Sequence, residues 1–259
     1  MKIFDVTVSF WRDRLKASAI HLLLSCALAL LAGLLVFVVW YPFPYREISG
    51  GRELFLLVVS VDVVLGPLIT LAIFDRRKAY PVLKRDFQVI AIVQLAALAY
   101  GLWTVFVARP VHMVFEYDRF RVVHAIEIDP VLLAKAPSTV SALPITGPTL
   151  MALRPFRDDT ERTEATMAAL QSVSLAVRAD LWEPYENART RVLQEAKPIP
   201  ALMYRFKQQA PMIEKKIRDA GRTPESLVYL PLLGRKLFWT VVLDPVTAQV
   251  VTAIPLDPY

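Results

Sequence analysis

Three long apolar runs, separated by short charged segments, fill the first 108 residues of the chain: Ala17–Trp40, Leu54–Phe74 and Phe87–Ala108. A helix rises ~1.5 Å per residue, so about 20 apolar residues cross the roughly 30 Å hydrocarbon core of a bilayer. All three runs reach that length, and each predicts a transmembrane helix. The first is too long for a signal-peptide core. It closes on the bulky stretch Phe37-Val38-Val39-Trp40-Tyr41, which predicts that it stays attached. The second contains Asp62. Its many Leu, Ile, Val and Phe residues at about −0.3 to −0.6 kcal/mol each outweigh one Asp at about +3, so it still inserts. Ahead of the first run, Phe4, Val8, Trp11 and Leu15 fit one face of an interfacial helix. Phe4, Val6, Val8 and Phe10 fit a strand equally well.

Beyond Ala108 the period changes. Val111–Tyr117 and Phe120–Ile128 are rich in β-branched and aromatic residues and read as strands around Asp118-Arg119. Prolines punctuate residues 129–157, which predicts an extended connection. A helix is expected from Asp158-Asp159 through Val177. Others follow near Glu183–Glu195 and Pro200–Ala220, the last kinked or split at Pro211. Leu227–Leu233, Leu237–Leu243 and Gln249–Ile254 return to strand character. The expected architecture is a membrane protein with three N-terminal transmembrane helices (residues 1–108) plus an α+β soluble domain (residues 109–259). An antiparallel sheet of three to five strands with helices on one face fits the second part.

The formal net charge of +6 does not mark a nucleic-acid binder, because residues 109–259 hold 19 Lys and Arg against 17 Asp and Glu. The excess flanks the apolar runs. Lys2, Arg12, Arg14 and Lys16 precede the first, and Arg76, Arg77, Lys78, Lys84 and Arg85 lie between the second and third. Only Arg46 and Arg52 lie between the first and second. By the positive-inside rule the N-terminus is cytoplasmic and the C-terminal domain lies across the membrane. Trp40, Tyr41 and Tyr45 then fall at the outer interface. The single cysteine, Cys26, sits inside the first run, so no intramolecular disulfide forms.

Each run carries a stripe of polar and small residues at helical spacing: His21, Ser25, Ala29 and Gly33; Asp62, Gly66 and Thr70; Gln94, Ala97, Gly101 and Thr104. Small residues let helices approach and polar ones pair away from lipid, which predicts one bundle. Asp62 is the foremost candidate, because an intramembrane carboxyl is costly and faces a partner or a cavity. It lies roughly 12 Å below the outer end of its helix, level with Tyr100. It either hydrogen-bonds Tyr100 or a backbone carbonyl within the bundle, or meets another protein's helix along an Asp62–Gly66–Thr70 face. In the soluble part, His112 and His124 fit no standard zinc spacing, and Asp158 and Asp159 read as helix N-terminal charges. With no GxSxG, no dinucleotide fingerprint and only three glycines after Ala108, nothing in the chain asks for an enzyme, a metal or a cofactor.

Several stretches, in order, carry a likeness. They are Val39-Trp40-Tyr41-Pro42, Gly50-Gly51, Leu54-Phe55, Val61-Asp62 and Leu65-Gly66-Pro67-Leu68 in the first part. Arg109-Pro110-Val111, Asp118-Arg119-Phe120, Ala142-Leu143-Pro144, Gly147-Pro148, Tyr229-Leu230-Pro231-Leu232 and Asp257-Pro258 follow. Together they resemble the type IV pilin accessory protein family (TfpX/TfpZ type) along nearly the whole chain. The resemblance implies a multi-pass protein of the bacterial inner membrane with a periplasmic domain. It further implies a pilin-specific chaperone or assembly modulator whose partners are the bilayer, a type IV pilin (the major pilin) and the pilus assembly machinery. It implies no catalytic residue and no cofactor. Candidate pilin contacts are Asp62, Gly66, Thr70, Tyr100, Asp118, Arg119 and Phe120. A membrane-anchored pilin-modifying enzyme built on His112 and His124, or a periplasmic sensor module, are the alternatives.

Overall fold

The computed structural model of the chain describes residues 2–170 and 174–259, with side chains from residue 10 onward. Two compact units emerge, Met1–Val39 with Gly51–Val107, and Trp40–Gly50 with Ala108–Tyr259. The segment between the first two apolar runs therefore folds with the C-terminal half.

The helices of the N-terminal half follow the apolar runs closely. Helix α1 is Lys2–Leu34, lengthened by a π-helical turn at Leu35–Trp40. It begins before the first run, so of the two alternatives for residues 2–16 the helical one is found, continuous with the span. Helix α2 is the short Tyr45–Ile48. Helix α3 is composite: Gly51–Ser60, a π-helical turn at Val61–Leu65, then Gly66–Ile73. Helix α4 is Tyr80–Val107. Helices α1, α3 and α4 are each long and apolar enough to cross a membrane, and at most 28% of any span's most apolar window is buried. In water such faces would lie bare; in a bilayer lipid covers them.

Within this unit α3 is the middle element. Helices α1 and α4 both pack on it and hardly touch one another. The polar and small stripes make those contacts. The Ser18 hydroxyl donates to the Pro67 carbonyl at 2.9 Å, and His21 Nδ1 meets Thr70 Oγ1 at 2.5 Å. Gln94 Nε2 donates to the Asp62 carbonyl at 3.3 Å and lies against Gly66, where a Cβ would come within 1.8 Å of it. Gly101 admits Val58 in the same way, its absent Cβ falling 2.4 Å from Val58 Cγ1.

The second unit is built on a mixed sheet. Its strands are β1 (Pro110–Glu116), β2 (Arg119–His124), β3 (Thr149–Leu153), β4 (Trp182–Pro184), β5 (Lys197–Pro198), β6 (Val228–Leu233), β7 (Phe238–Leu243) and β8 (Val250–Ile254). They lie in the order β4-β3-β1-β2-β6-β7-β8, with β5 against β6. The helices are α5 (Pro130–Leu133), α6 (Asp159–Leu170), α7 (Arg189–Glu195), α8 (Ile199–Arg205) and α9 (Ala210–Asp219).

Several expectations need correcting. The sheet is not purely antiparallel, because β1 with β3 and β2 with β6 run parallel. Long crossovers join those pairs, as parallel pairing requires. Strands β3, β4 and β5 were unexpected: the first is a short run between Pro148 and Pro155, and the other two end in proline, which suits short or edge strands. The helix expected through Val177 ends by Leu170, before residues 171–173, which lie outside the described residues. Only Arg189–Glu195 of the stretch Glu183–Glu195 is α-helical. The break at Pro211 does occur, with α9 starting at Ala210.

Both sheet faces are covered, not one. Met113, Phe115, Phe120, Leu232 and Val241 form a core with Val192 of α7 and with Ile48. Alternate residues pack elsewhere: Val114, Val123 and Met151 around Trp182, and Tyr229, Val242 and Ile254 under α8 and α9. Residues 40–50 are thus a structural strap. Ile48 is completely buried, its carbonyl accepts from Lys236 N at 3.3 Å, and it lies directly against Gly234. Tyr41 is buried too, and the Tyr45 hydroxyl reaches Met113 Sδ at 3.5 Å. Tyr41 is thus a buried residue of the second unit, and Tyr45 packs partly buried against its core.

Candidate functional site

Because α1 and α4 diverge on either side of α3, the membrane unit holds an open groove of about 760 Å³. One wall is α1, with Ile20, His21, Leu24, Ser25 and Leu28; the other is α4, with Phe87, Ala91, Gln94 and Leu95. Asp62 of α3 lies between the walls, and Asp13, Lys16 and Arg76 mark one end. There Arg76 Nη1 donates to Asp13 Oδ2 at 3.3 Å.

The floor is chemically unusual. Asp62 is 7% exposed, and its carboxyl has no hydrogen-bonding partner among the described residues, although His21 lies within electrostatic reach. It stands in the π-helical turn Val61–Leu65, where an extra residue in the turn re-aims side chains. The Tyr100 hydroxyl does not meet it: Tyr100 is 75% exposed and shares with Asp62 only the rim of a smaller cleft of about 250 Å³. Gly66 and Thr70 are buried against Gln94 and His21 of this same chain. Of the proposed Asp62–Gly66–Thr70 face, Asp62 alone borders the groove.

On the soluble unit, Asp118 and Arg119 sit at the β1–β2 turn, which Tyr117 enters at φ 60°. Arg119 donates to both Asp118 oxygens, at 2.7 and 3.1 Å, and its guanidinium lies 5.7 Å from the centre of the Tyr259 ring. Tyr259 in turn meets Phe238 edge-on. Both rings are about half exposed, so an aromatic and charged patch lies there that sequence distance concealed. Phe120 is a core residue with no exposed surface, packed on Phe115 and Tyr185.

Of the two soluble histidines, His112 has both ring nitrogens partnered, whereas His124 has a buried Nε2 with no partner among the described residues. His112 is buried edge-on to Trp182; its Nε2 donates to the Ala142 carbonyl at 3.0 Å, so its Nδ1 accepts from the Thr149 hydroxyl at 2.7 Å. Burial holds the ring neutral, with its pKa lowered to about 4. His124 Nδ1 pairs with Glu127 at 3.1 Å. No group of His, Cys, Asp and Glu suited to a metal ion occurs among the described residues. Asp158 accepts from Glu161 N at 2.8 Å and starts α6, as expected. Glu161 is gripped by Arg154 at 2.7 and 2.9 Å, and that guanidinium draws its pKa down to about 2.

The stretches that carried the resemblance meet in space. Arg109 donates twice to the Pro144 carbonyl, at 3.1 and 3.3 Å, and Phe120 pairs with Leu232 across β2 and β6.

Known proteins extend that resemblance. A family model, fimbrial assembly protein FimB, matches residues 9–50. The fimbrial assembly protein of serogroup I from Dichelobacter nodosus is 35% identical over 247 residues, which is 94% of this chain and 95% of that protein. Its serogroup E1 counterpart is 33% identical over 246 residues, with the same coverage. The protein of serogroups C1 and C2 is 44% identical over 107 residues, 41% of this chain and 82% of its own length. No solved structure matches the chain.

Proposed function

This chain belongs to the fimbrial assembly protein family, and from that premise we propose that it is an accessory protein of type IV pilus biogenesis in the bacterial inner membrane. It acts as a pilin-specific chaperone or assembly modulator, without catalysis of its own. The observation that supports this most directly is the pairing, in one chain, of a three-helix membrane unit holding an open groove with an extensive soluble unit. A pilin awaiting assembly has an apolar N-terminal helix and a globular head. A helper needs a surface for each.

The charge pattern favours a periplasmic soluble unit. Five basic residues lie between the second and third apolar runs, whereas Arg46 and Arg52 are the basic residues between the first and second. A reporter fused after residue 150 is expected to be active in the periplasm, and cytoplasmic activity overturns this orientation.

Crosslinking in live cells followed by purification of the tagged protein tests the function. Pilin is expected to co-purify, and surface piliation to fall when the protein is deleted. Normal piliation in the deletion strain, with no pilin recovered, rejects the reading.

A further inference from the structure

The groove between α1 and α4 has no occupant among the described residues, and its chemistry limits what fills it. Its walls are spans that cross the bilayer, and it is open along one side. Acyl chains fill such a space sterically but offer nothing to a carboxyl. Asp62 lies on its floor, more than nine-tenths buried and without a hydrogen-bonding partner among the described residues. An unsatisfied polar group at membrane depth costs several kcal/mol. The occupant must therefore supply a donor. It must also satisfy its own backbone in hydrocarbon, which only a helix does in a single segment. Ala17 and Ala91 on the walls, with Ser25, allow the close approach such a helix needs.

Building on the proposed function, we infer that this groove receives the membrane helix of the pilin, which places a cation or hydrogen-bond donor against the Asp62 carboxylate. Gly66 and Thr70 serve a different end: they hold α3 to α4 and α1, and so keep the groove open. Asp62 is charge-complementary to a donor-bearing helix, and to neither a lipid tail nor an all-apolar one. The π-helical turn Val61–Leu65 fits the same role, since it displaces Asp62 from a regular helical position next to the Gln94–Gly66 contact.

A photo-crosslinking residue replacing Leu24 or Leu95, which line the groove, is compared in full-length protein in native membranes with one replacing Leu23 or Ile92. The latter pair is exposed and lines neither cavity. Pilin adducts are expected from the groove positions and not from the outward ones. Asp62→Leu is expected to cut the groove adduct about tenfold, and Asp62→Asn, which still accepts a hydrogen bond, to restore part of it. Membrane-inserted protein levels, followed in parallel, guard against misfolding. Equal labelling from both faces, adducts with lipid only, adducts with a second copy of this chain, or an unchanged yield in Asp62→Leu each overturn the groove as the pilin's site. Those outcomes leave the proposed function standing if pilin still co-purifies through other surfaces. Loss of pilin recovery under every condition, with piliation intact, overturns both.

Discussion

The membrane unit and the soluble unit differ in how completely they close around their own side chains. In the soluble unit most buried polar groups are matched to partners within the chain: Trp182 Nε1 donates to Ala176 O at 2.8 Å, the Tyr185 hydroxyl to Ala248 O at 2.6 Å, and Arg109 twice to Pro144, while the Ser49 hydroxyl and His124 Nε2 are buried without one among the described residues. Its apolar side chains cover both faces of the sheet, and a strap from a distant part of the sequence closes one of them. The membrane unit has three helices in a row, an open groove and, among the described residues, a carboxyl with no hydrogen-bonding partner. One unit closes both faces of its sheet, and the other keeps an open groove between two of its helices. The difference locates adaptability in the bilayer and rigidity outside it. A protein that must bind a client helix and later release it benefits from such a division, since an incomplete bundle gains from binding without first having to unfold.

The comparison is easiest to break at the strap. Ile48→Ala is expected to cost the soluble unit about 2–5 kcal/mol, as burial of an isoleucine with no exposed surface implies. Gly234→Ala should act in the same direction, because a Cβ there would stand 2.6 Å from the Ile48 carbonyl oxygen. Thermal unfolding of detergent-solubilised protein, followed by tryptophan fluorescence and proteolysis, checks both. If the soluble unit is unmoved, residues 40–50 are a mere connector.

Acid should separate the units next. His112 titrates at about 4 in the folded state against an ordinary 6.5. As pH falls below 6.5 the unfolded chain takes up a proton that the native ring refuses, so stability drops by roughly 3 kcal/mol by the time pH reaches 4. Glu161, depressed to about 2 from 4.5, adds a further loss as pH falls through that lower window. His112→Gln, which keeps a donor and an acceptor without titrating, is expected to flatten the upper step in denaturation curves taken from pH 7 to 4. A step that survives the substitution assigns it to another group.

Within the membrane unit, Gly101→Ala should loosen α3 from α4 by about 1–2 kcal/mol, because the new methyl meets Val58 Cγ1 at 2.4 Å. The expected readout is weaker disulfide trapping between cysteines placed on those two helices, with no change in the unfolding of the soluble unit. Coupled loss in both units contradicts the independence drawn here.

Much of this organisation could be read from residue pattern, and the gaps have physical causes. The spans and their contact stripes were legible because helical spacing alone puts His21 and Ser25 on one face and Gly66 and Thr70 on another, although Ser18 was not among them. The hairpin at Asp118-Arg119 and the closing strands β6 to β8 were legible from β-branched alternation. Strands β3, β4 and β5 were not, because parallel partners and proline-ended edges leave no local period. The strap was hidden for a related reason: Tyr41 and Tyr45 read as interfacial residues and Ile48 carried no signal, and only the sheet they pack against reveals their place. Asp62 could be singled out, but the face it lines could not. That face depends on α1 and α4 failing to meet, a property of packing rather than of any one helix.

The smallest expected effect is also the most selective. Arg119 and Asp118 form a two-pronged pair at an exposed turn, and Arg119 further lies against Tyr259. Exposed pairs of this kind contribute only about 0–1 kcal/mol to stability, because water competes for both ions and ordering two side chains costs entropy. Arg119→Ala should therefore leave the unfolding of the soluble unit almost unchanged. The same substitution removes the cation from a half-exposed patch that includes Phe238 and Tyr259. If the pilin head docks there, recovery of crosslinked pilin falls while folding does not. The groove adducts at Leu24 and Leu95 then persist, because the membrane helix is held separately. Unchanged recovery moves the head contact to another surface of the sheet, and a destabilised domain would mean that the turn belongs to the rigid core after all.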